Sequence, residues 1–266
     1  MRVARIQTAA GPRFAVAKPG GDGTEVWAVV DDPFAATMVF TGETVAVAST
    51  PLLAPVDPRV VVGIAHNKTN NDHHLPIQAW HKSVRSVVAS GAPVAIRTDI
   101  GQVNIEGELA VVIGKPARRL TMQNALDVVF GYTIANDVTN VDQVGVDERF
   151  FQVKSGRDHT PVGPWIETAI DDPDGVAISV SINGVVAAES ATRNLPSSVA
   201  ECLVYVTAWL DLGPGDVVLT GAPMTFLPAA VGDLIEITLP PIGTLRNPIV
   251  SDDSMPEARP SAQNPA

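Results

Sequence analysis

Two glutamates one residue apart inside an otherwise apolar run are the most chemically loaded feature of this 266-residue chain. The run is Val103-Asn104-Ile105-Glu106-Gly107-Glu108-Leu109-Ala110-Val111-Val112-Ile113-Gly114. Read as a strand, it alternates faces, so Asn104, Glu106 and Glu108 share one face with the apolar Ala110 and Val112. Two carboxylates that close repel, and they raise each other's pKa once water is withdrawn. Either the mouth of the sheet is wet and both point into solvent, or a divalent cation neutralises them. A second apolar run, Phe130 to Asn136, ends in Asp137. Three carboxylates at strand ends, with no cysteine nearby and no His-Glu-x-x-His, suit a hard ion with oxygen ligands, Mg²⁺ or Mn²⁺.

Those strands belong to a chain that is 45% hydrophobic and 18% charged, the composition of a globular core. Its net charge of −11 argues against nucleic acid and against an anionic membrane surface as partners. A single cysteine, Cys202, excludes a disulfide framework and reads as core packing. No run reaches the ~20 apolar residues of a membrane span, and the N-terminus lacks a signal core, so a cytoplasmic protein is expected.

Residues 1–57 hold short apolar runs broken by Gly and Pro, which predicts a small β-rich N-terminal lobe. Pro51, Pro55 and Pro58 mark a linker, and Val60 to Val62 open a new strand. Residues 58–250 read as the catalytic domain, dominated by strands with a few helices. Residues 251–266, polar and rich in proline, read as a disordered tail. Ile178, Val180 and Ile182 alternate up to Asn183-Gly184, a hairpin signal. Ser198 and Glu201 form a capping box ahead of Leu203, Val206 and Leu210, and Gly213-Pro214 stops that helix near Leu212. Leu234 to Leu239 alternates as a strand. The fold class is α+β, mainly β.

The carboxylate segments also carry a family pattern. Glu106 to Lys115 resembles the E-G-E-L-a-V-V-I-G-k signature of the fumarylacetoacetate hydrolase family, and Gly131 to Thr139 resembles its G-Y-t-x-x-N-D-v-[ST] block. Lys154 with Pro161-Val162-Gly163-Pro164 is similar to the K-x6-P-[IL]-G-P block. Leu212 to Pro223 resembles L-x-P-G-D-v-i-x-T-G-T-P, and Val231 to Asn247 resembles the closing motif. The five blocks span about residues 60 to 250 in order.

The resemblance implies a distorted mixed β-sheet roll with a variable N-terminal lobe, assembled as a homodimer. It places Glu106, Glu108 and Asp137 on the metal-ligand positions, Lys154 facing the substrate, and Thr220 on a hydroxyl that contacts the substrate carboxylate. It also implies a 2-oxo acid substrate, with the metal on its carboxylate and keto oxygens so that an enolate is stabilised when a bond at the neighbouring carbon breaks. Hydrolysis of a C–C bond in an acylpyruvate-like acid is the expected reaction. Oxaloacetate decarboxylation, 2-hydroxy-dienoate isomerisation and a non-catalytic 2-oxo-acid-binding scaffold are the alternatives.

The chain departs from the pattern at the lid. Where relatives read G-L-N-Y-x-x-H-x-x-E, this chain has Gly63-Ile64-Ala65-His66-Asn67-Lys68-Thr69-Asn70-Asn71-Asp72-His73-His74. Thr69 stands at the catalytic histidine position, and the stretch from Gly63 to Lys82 is shorter than usual. His66, at a strand end, is the first candidate base, followed by His73 and His74 on the lid, with Asp72 the nearby carboxylate. Val141 replaces an arginine of the family pattern, and Arg157 or Asp158 shapes a different substrate pocket. His81 is read as packing or as support just behind the site, His159 as a pocket-lining candidate, and Trp165 and Trp209 as core.

Overall fold

The structure, a computed structural model, describes residues 1–21 and 23–254. Its spine is the strand Val103–Ile113, buried along its whole length. Apolar residues on both faces require cover on both, and two core clusters supply it. One sets Val180 and Ile237 against Ile105 and Leu109, and the other sets Val3 and Val16 against Ala110 and Val112. Along one edge the strand pairs antiparallel with Val129–Asn136, and along the other with Val217–Leu219 and Phe226–Ala229.

These strands sit in a 14-stranded sheet. From one edge the order runs Phe40–Ala46, Glu25–Val30, Gly11–Pro19, Arg2–Thr8, Thr160–Glu167, Val129–Asn136 and Val103–Ile113. It continues through Val217–Leu219 and Val61–Ala65 to Gln78–His81. Val61–Ala65 runs parallel to Val217–Leu219. A five-stranded sheet, Val185–Ala191, Ala177–Ile182, Leu234–Leu239, Gly243–Ser251 and Val94–Ile96, packs over the spine. The Asn183-Gly184 hairpin and the Leu234–Leu239 strand form as expected.

Gly107 explains why a glycine separates the two glutamates. The glutamates face one way, and Gly107 faces the second sheet. A Cβ there would stand 2.9 Å from Val180 Cγ2 and 3.0 Å from Ile237 Cγ2. Gly107→Ala should therefore cost about 1–3 kcal/mol by overpacking, read as a lower denaturation midpoint, while the three carboxylates stay together. An unchanged midpoint would show that the inter-sheet layer has slack at this position.

The N-terminal strands continue the large sheet. Arg2 and Val3 pair with Glu167 and Ile166, and the Met1 ammonium lies 2.6 Å from the Glu167 carboxylate. The proline-marked linker is packed, with Ala54, Pro55, Val56 and Pro58 buried. The expected few helices reduce, among the described residues, to one α-helix, Val199–Trp209, plus 3₁₀ turns of three or four residues. The Ser198–Glu201 capping box is present. The helix stops at Trp209 rather than near Leu212, because the backbone of Leu212 pairs with Ala117.

Trp209 is not core. It is 79% exposed at the helix end, where Leu210 turns extended and no further turn follows to cover it. Trp165 does pack, its ring 6.4 Å from that of Trp27. Cys202 is buried, and burial raises its thiol pKa. Of the expected tail, Ser251 ends a strand and Asp252–Ser254 form a 3₁₀ turn, and the remainder lies outside the described residues. No helix among the described residues is long and apolar enough to cross a membrane.

Candidate active site

Strand pairing builds the carboxylate cluster. Gly107 lies opposite Asn136, so Asp137 emerges beside the two glutamates. Asp137 N donates to the Glu106 carbonyl at 2.9 Å, and Glu106 N donates to Asn136 Oδ1 at 2.9 Å. Glu106 and Glu108 are each 1% exposed and Asp137 is fully buried, which overturns the reading in which both glutamates point into water. One ligand oxygen from each of the three lies within 4.8 Å of the others.

Three lysines converge on this cluster. Lys154 Nζ lies 2.8 Å from Asp137 Oδ2, 3.0 Å from Glu106 Oε2 and 2.6 Å from Thr139 Oγ1. Lys82 Nζ lies 2.6 Å from Asp137 Oδ1, and Lys68 Nζ bonds Glu106 Oε1. Glu108 differs from its neighbours. It accepts the Gly221 N–H at 2.7 Å, and no lysine among the described residues pairs with it.

The titration of these groups follows from the pairing. Burial pushes the Glu106 carboxyl up, but Lys154 and Lys68 outweigh it and hold the group below the usual range. Burial likewise opposes Asp137, yet Lys154 and Lys82 bring it down to about 2. Lys154 is raised, because Asp137 and Glu106 overcome its own burial. Lys82 is lowered, its burial winning over Asp137. Glu108 is raised well above a normal carboxyl by burial and then by the charges of Asp137 and Glu106. Three buried oxygen donors, one of them lacking a cationic partner, fit a hard divalent ion.

Gly221 ties the loop after Ala65 to the cluster. Its φ is +108°, and a Cβ there would stand 2.1 Å from the Asn67 carbonyl oxygen, so a side chain would separate the loop from the strand that carries Glu108.

Beside the cluster lies a cleft of about 210 Å³ whose walls include His66, Lys68, Asp72, Trp80, Phe150 and Lys154. His66 adopts a left-handed backbone, φ 57°, and its Nδ1 is 2.8 Å from the Pro76 carbonyl oxygen. Of the other expected site residues, Lys154 joins the cluster and the cleft, whereas Thr220 is fully buried with its hydroxyl donating to the Leu109 carbonyl at 2.8 Å. His73 and His74 are exposed on the loop and stand outside the cleft wall.

Several secondary candidates are placed elsewhere. His81 is exposed, so it does not pack as expected. Arg157 pairs with Asp252 at 3.4 Å, and neither it nor Asp158 lines the cleft. His159 is buried behind the site, with Nε2 2.9 Å from the Ala95 carbonyl oxygen, and does not line the cleft. Burial, helped by the Lys82 charge, lowers its pKa to about 4. Because that value lies below the unfolded one near 6.5, the unfolded chain binds the proton more tightly between the two values. Stability should therefore be full above about pH 6.5 and fall as the pH drops towards 4, by about 3 kcal/mol from this group. His159→Gln should flatten that limb of a denaturation-versus-pH series, and an unchanged limb would assign it to other groups.

Sequence reasoning missed Lys68, Lys82, Trp80 and Phe150. Three buried carboxylates require about as many cations nearby, which is a signal for lysines but not for which ones. Asp72, noted as the carboxylate near the lid, holds the loop by accepting the Lys68 and Thr69 N–H groups, each at 3.0 Å.

Comparison with known proteins gives a consistent picture. Residues 58–250 match the family described as fumarylacetoacetate (FAA) hydrolase C-terminal, and residues 1–55 match one described as Rv2993c-like, N-terminal. Protein Rv2993c of Mycobacterium tuberculosis is 32% identical over 262 residues, covering 94% of this chain and 98% of that protein. Oxaloacetate tautomerase YisK of Bacillus subtilis is 35% identical over 178 residues, 63% of this chain and 59% of that one. A crystal structure of 5-carboxymethyl-2-hydroxymuconate delta-isomerase from Mycobacterium smegmatis superposes with a TM-score of 0.87. It is 33% identical, and the match covers 95% of this chain and 100% of that one.

Proposed function

Because the chain belongs to the fumarylacetoacetate hydrolase family, we propose that it is a divalent-metal-dependent enzyme that moves a proton at the carbon beside the keto group of a small 2-oxo acid. The observation that carries this reading is the buried triad of Glu106, Glu108 and Asp137 beside a cleft whose wall, among the described residues, has one histidine, His66. The tautomerase and isomerase among its relatives support it.

Glu106, Glu108 and Asp137 would hold Mg²⁺ or Mn²⁺, which would supply Lewis-acid polarisation for a keto oxygen. The chain's own residues do the rest. Lys154, fixed between Glu106, Asp137 and Thr139, presents a preorganised positive charge to the oxygen on which negative charge develops. Nδ1 of His66 faces a carbonyl oxygen, which can only accept, so Nδ1 carries the hydrogen and Nε2 keeps the lone pair that takes the proton. The loop, held by Asp72 and by the Asn67 amide donating to the Thr220 carbonyl at 2.7 Å, keeps that ring beside the cleft.

Hydrolysis of an acylpyruvate-like C–C bond is the second reading, and His66 favours it, since the same lone pair can activate water. It ranks behind because Nδ1 rests on a carbonyl and not on a carboxylate that would stabilise the imidazolium. Oxaloacetate decarboxylation needs the polarised keto group without a water-activating base. The proposal includes a homodimer, checked by light scattering on purified protein, and a cytoplasmic location, checked by cell fractionation.

The test incubates the protein with Mg²⁺ or Mn²⁺ and with oxaloacetate or acetylpyruvate in D₂O, followed by NMR. Deuterium entering the carbon beside the keto group faster than with the metal ion alone, and without bond cleavage, is the expected result. Acetate plus pyruvate would select hydrolysis, and carbon dioxide from oxaloacetate would select decarboxylation. Neither exchange nor product would leave a 2-oxo-acid-binding scaffold.

A further inference from the structure

The cleft beside the carboxylates has adjoining walls of different chemistry. Lys154 and Lys68 reach the cluster, both already paired with Glu106. Trp80, whose ring lies 4.2 Å from Lys154 Nζ, continues the wall with Phe150, Val144 and Val153. The Trp80 and Phe150 rings stack with centroids 5.7 Å apart and planes 31° apart. Phe150 holds this place from a left-handed backbone, φ 60°, a conformation an aromatic residue keeps only where its surroundings impose it.

Charge counting points the same way. The three carboxylates and three lysines cancel. A divalent cation adds two positive charges, which one substrate carboxylate and one developing oxyanion consume. A second substrate carboxylate would meet the fixed charge of Asp72 and the aromatic wall. Among the described residues the cleft offers it no further cation besides the two paired lysines and His66.

Resting on the proton-transfer reading above, we propose that this site takes a 2-oxo acid with one carboxylate and an apolar, planar distal group. Phe150 and Trp80 then determine specificity, and a second carboxylate is rejected. The space suffices, since a cavity of about 150 Å³ already holds a benzene ring and this cleft has about 210 Å³. Ring-on-ring contact favours an aryl group over a branched alkyl one.

The experiment measures binding by calorimetry with Mg²⁺ present, using 2-oxo-4-phenylbutanoate and 2-oxoglutarate, which share the 2-oxo acid end and differ at the distal group. The aryl compound should bind about tenfold tighter or more. Phe150→Asn tolerates the left-handed backbone while removing the ring, and should abolish the difference. Val144→Lys puts a cation on the half-exposed part of the wall and should shift preference towards 2-oxoglutarate. Equal or reversed affinities in the unaltered protein, or binding of neither acid, overturn the proposal. Solvent exchange at the carbon beside the keto group, followed on the same two acids, reports separately on the reaction. Aryl-selective binding without exchange would refute the proton-transfer reading alone, and exchange with dicarboxylate-selective binding would refute the specificity alone.

Discussion

Glu108→Gln should give a folded protein whose metal-free form is at least as stable as the original and whose Mn²⁺ affinity has fallen by about two orders of magnitude. Loss of an outer partner of a metal ligand typically costs 10- to 100-fold in affinity, and a direct ligand should sit at the upper end or beyond. Stability is spared because, among the described residues, Glu108 pairs with no lysine and receives one backbone N–H, so neutralising it leaves no buried cation orphaned. Glu106→Gln is the contrast. It unpairs Lys68 and leaves Lys154 with Asp137 as its one carboxylate, and breaking a buried pair costs about 3–5 kcal/mol. Titration calorimetry with Mn²⁺ and thermal melts in chelator separate the two effects. Unchanged Mn²⁺ affinity in Glu108→Gln would remove Glu108 from the ligand set.

The pH response of the same group has a definite sign. A carboxyl raised in the folded state stabilises that state below the unfolded pKa, and the contribution is lost as pH rises through the folded value. Metal-free protein should therefore lose stability on that rise, and Glu108→Gln should not. Metal must expel the Glu108 proton, so Mn²⁺ affinity should weaken as pH falls, by at most about tenfold per unit.

Lys154→Met should show the other large effect. Lys154 is nearly fully buried against Glu106, Asp137 and Thr139, so its loss leaves the cluster one positive charge short. The metal-free protein should lose about 3–5 kcal/mol, and Mn²⁺ should restore more of the melting midpoint in this variant than in the unaltered protein. Turnover with metal saturating should fall by about a hundredfold to a thousandfold, the usual cost of one preorganised charge at a developing oxyanion. Lys82→Met shares the stability loss but does not line the cleft, and should lose less turnover. A Lys154→Met midpoint unaffected in chelator would mean that Lys68 and Lys82 alone balance the three carboxylates.

The carboxylate face was legible because strand periodicity is local. Alternation alone places Glu106 and Glu108 together, and an apolar run ending at Asp137 announces a strand end. The lysines were not legible in the same way, because Lys68 and Lys82 sit in polar connecting segments and reach the cluster only through pairing of Val61–Ala65 with Val217–Leu219 and of Gln78–His81 with its neighbour. Phe150 arrives on an irregular stretch with no period to read. Trp209 misled for a related reason, since helical spacing predicts a buried face only while a further turn remains to cover it. The Leu109 carbonyl that holds the Thr220 hydroxyl lies 111 residues away, a distance no local motif reports.

The pairing of Arg2–Thr8 with Thr160–Glu167 sets a schedule for biosynthesis. The first four strands pair with one another as they leave the ribosome, and Leu52–Leu53 then covers Arg5 and Ile6. Arg2 and Val3, however, wait for Glu167 and Ile166, more than 150 residues downstream. At 5–20 residues per second that wait is about 8–33 s. Throughout it, a nascent chain exposes an unpaired strand end carrying Val3, which is the kind of surface that chaperones bind and that aggregates when they are scarce. Folding yield, more than the stability of the finished protein, should therefore respond to slower expression or lower temperature.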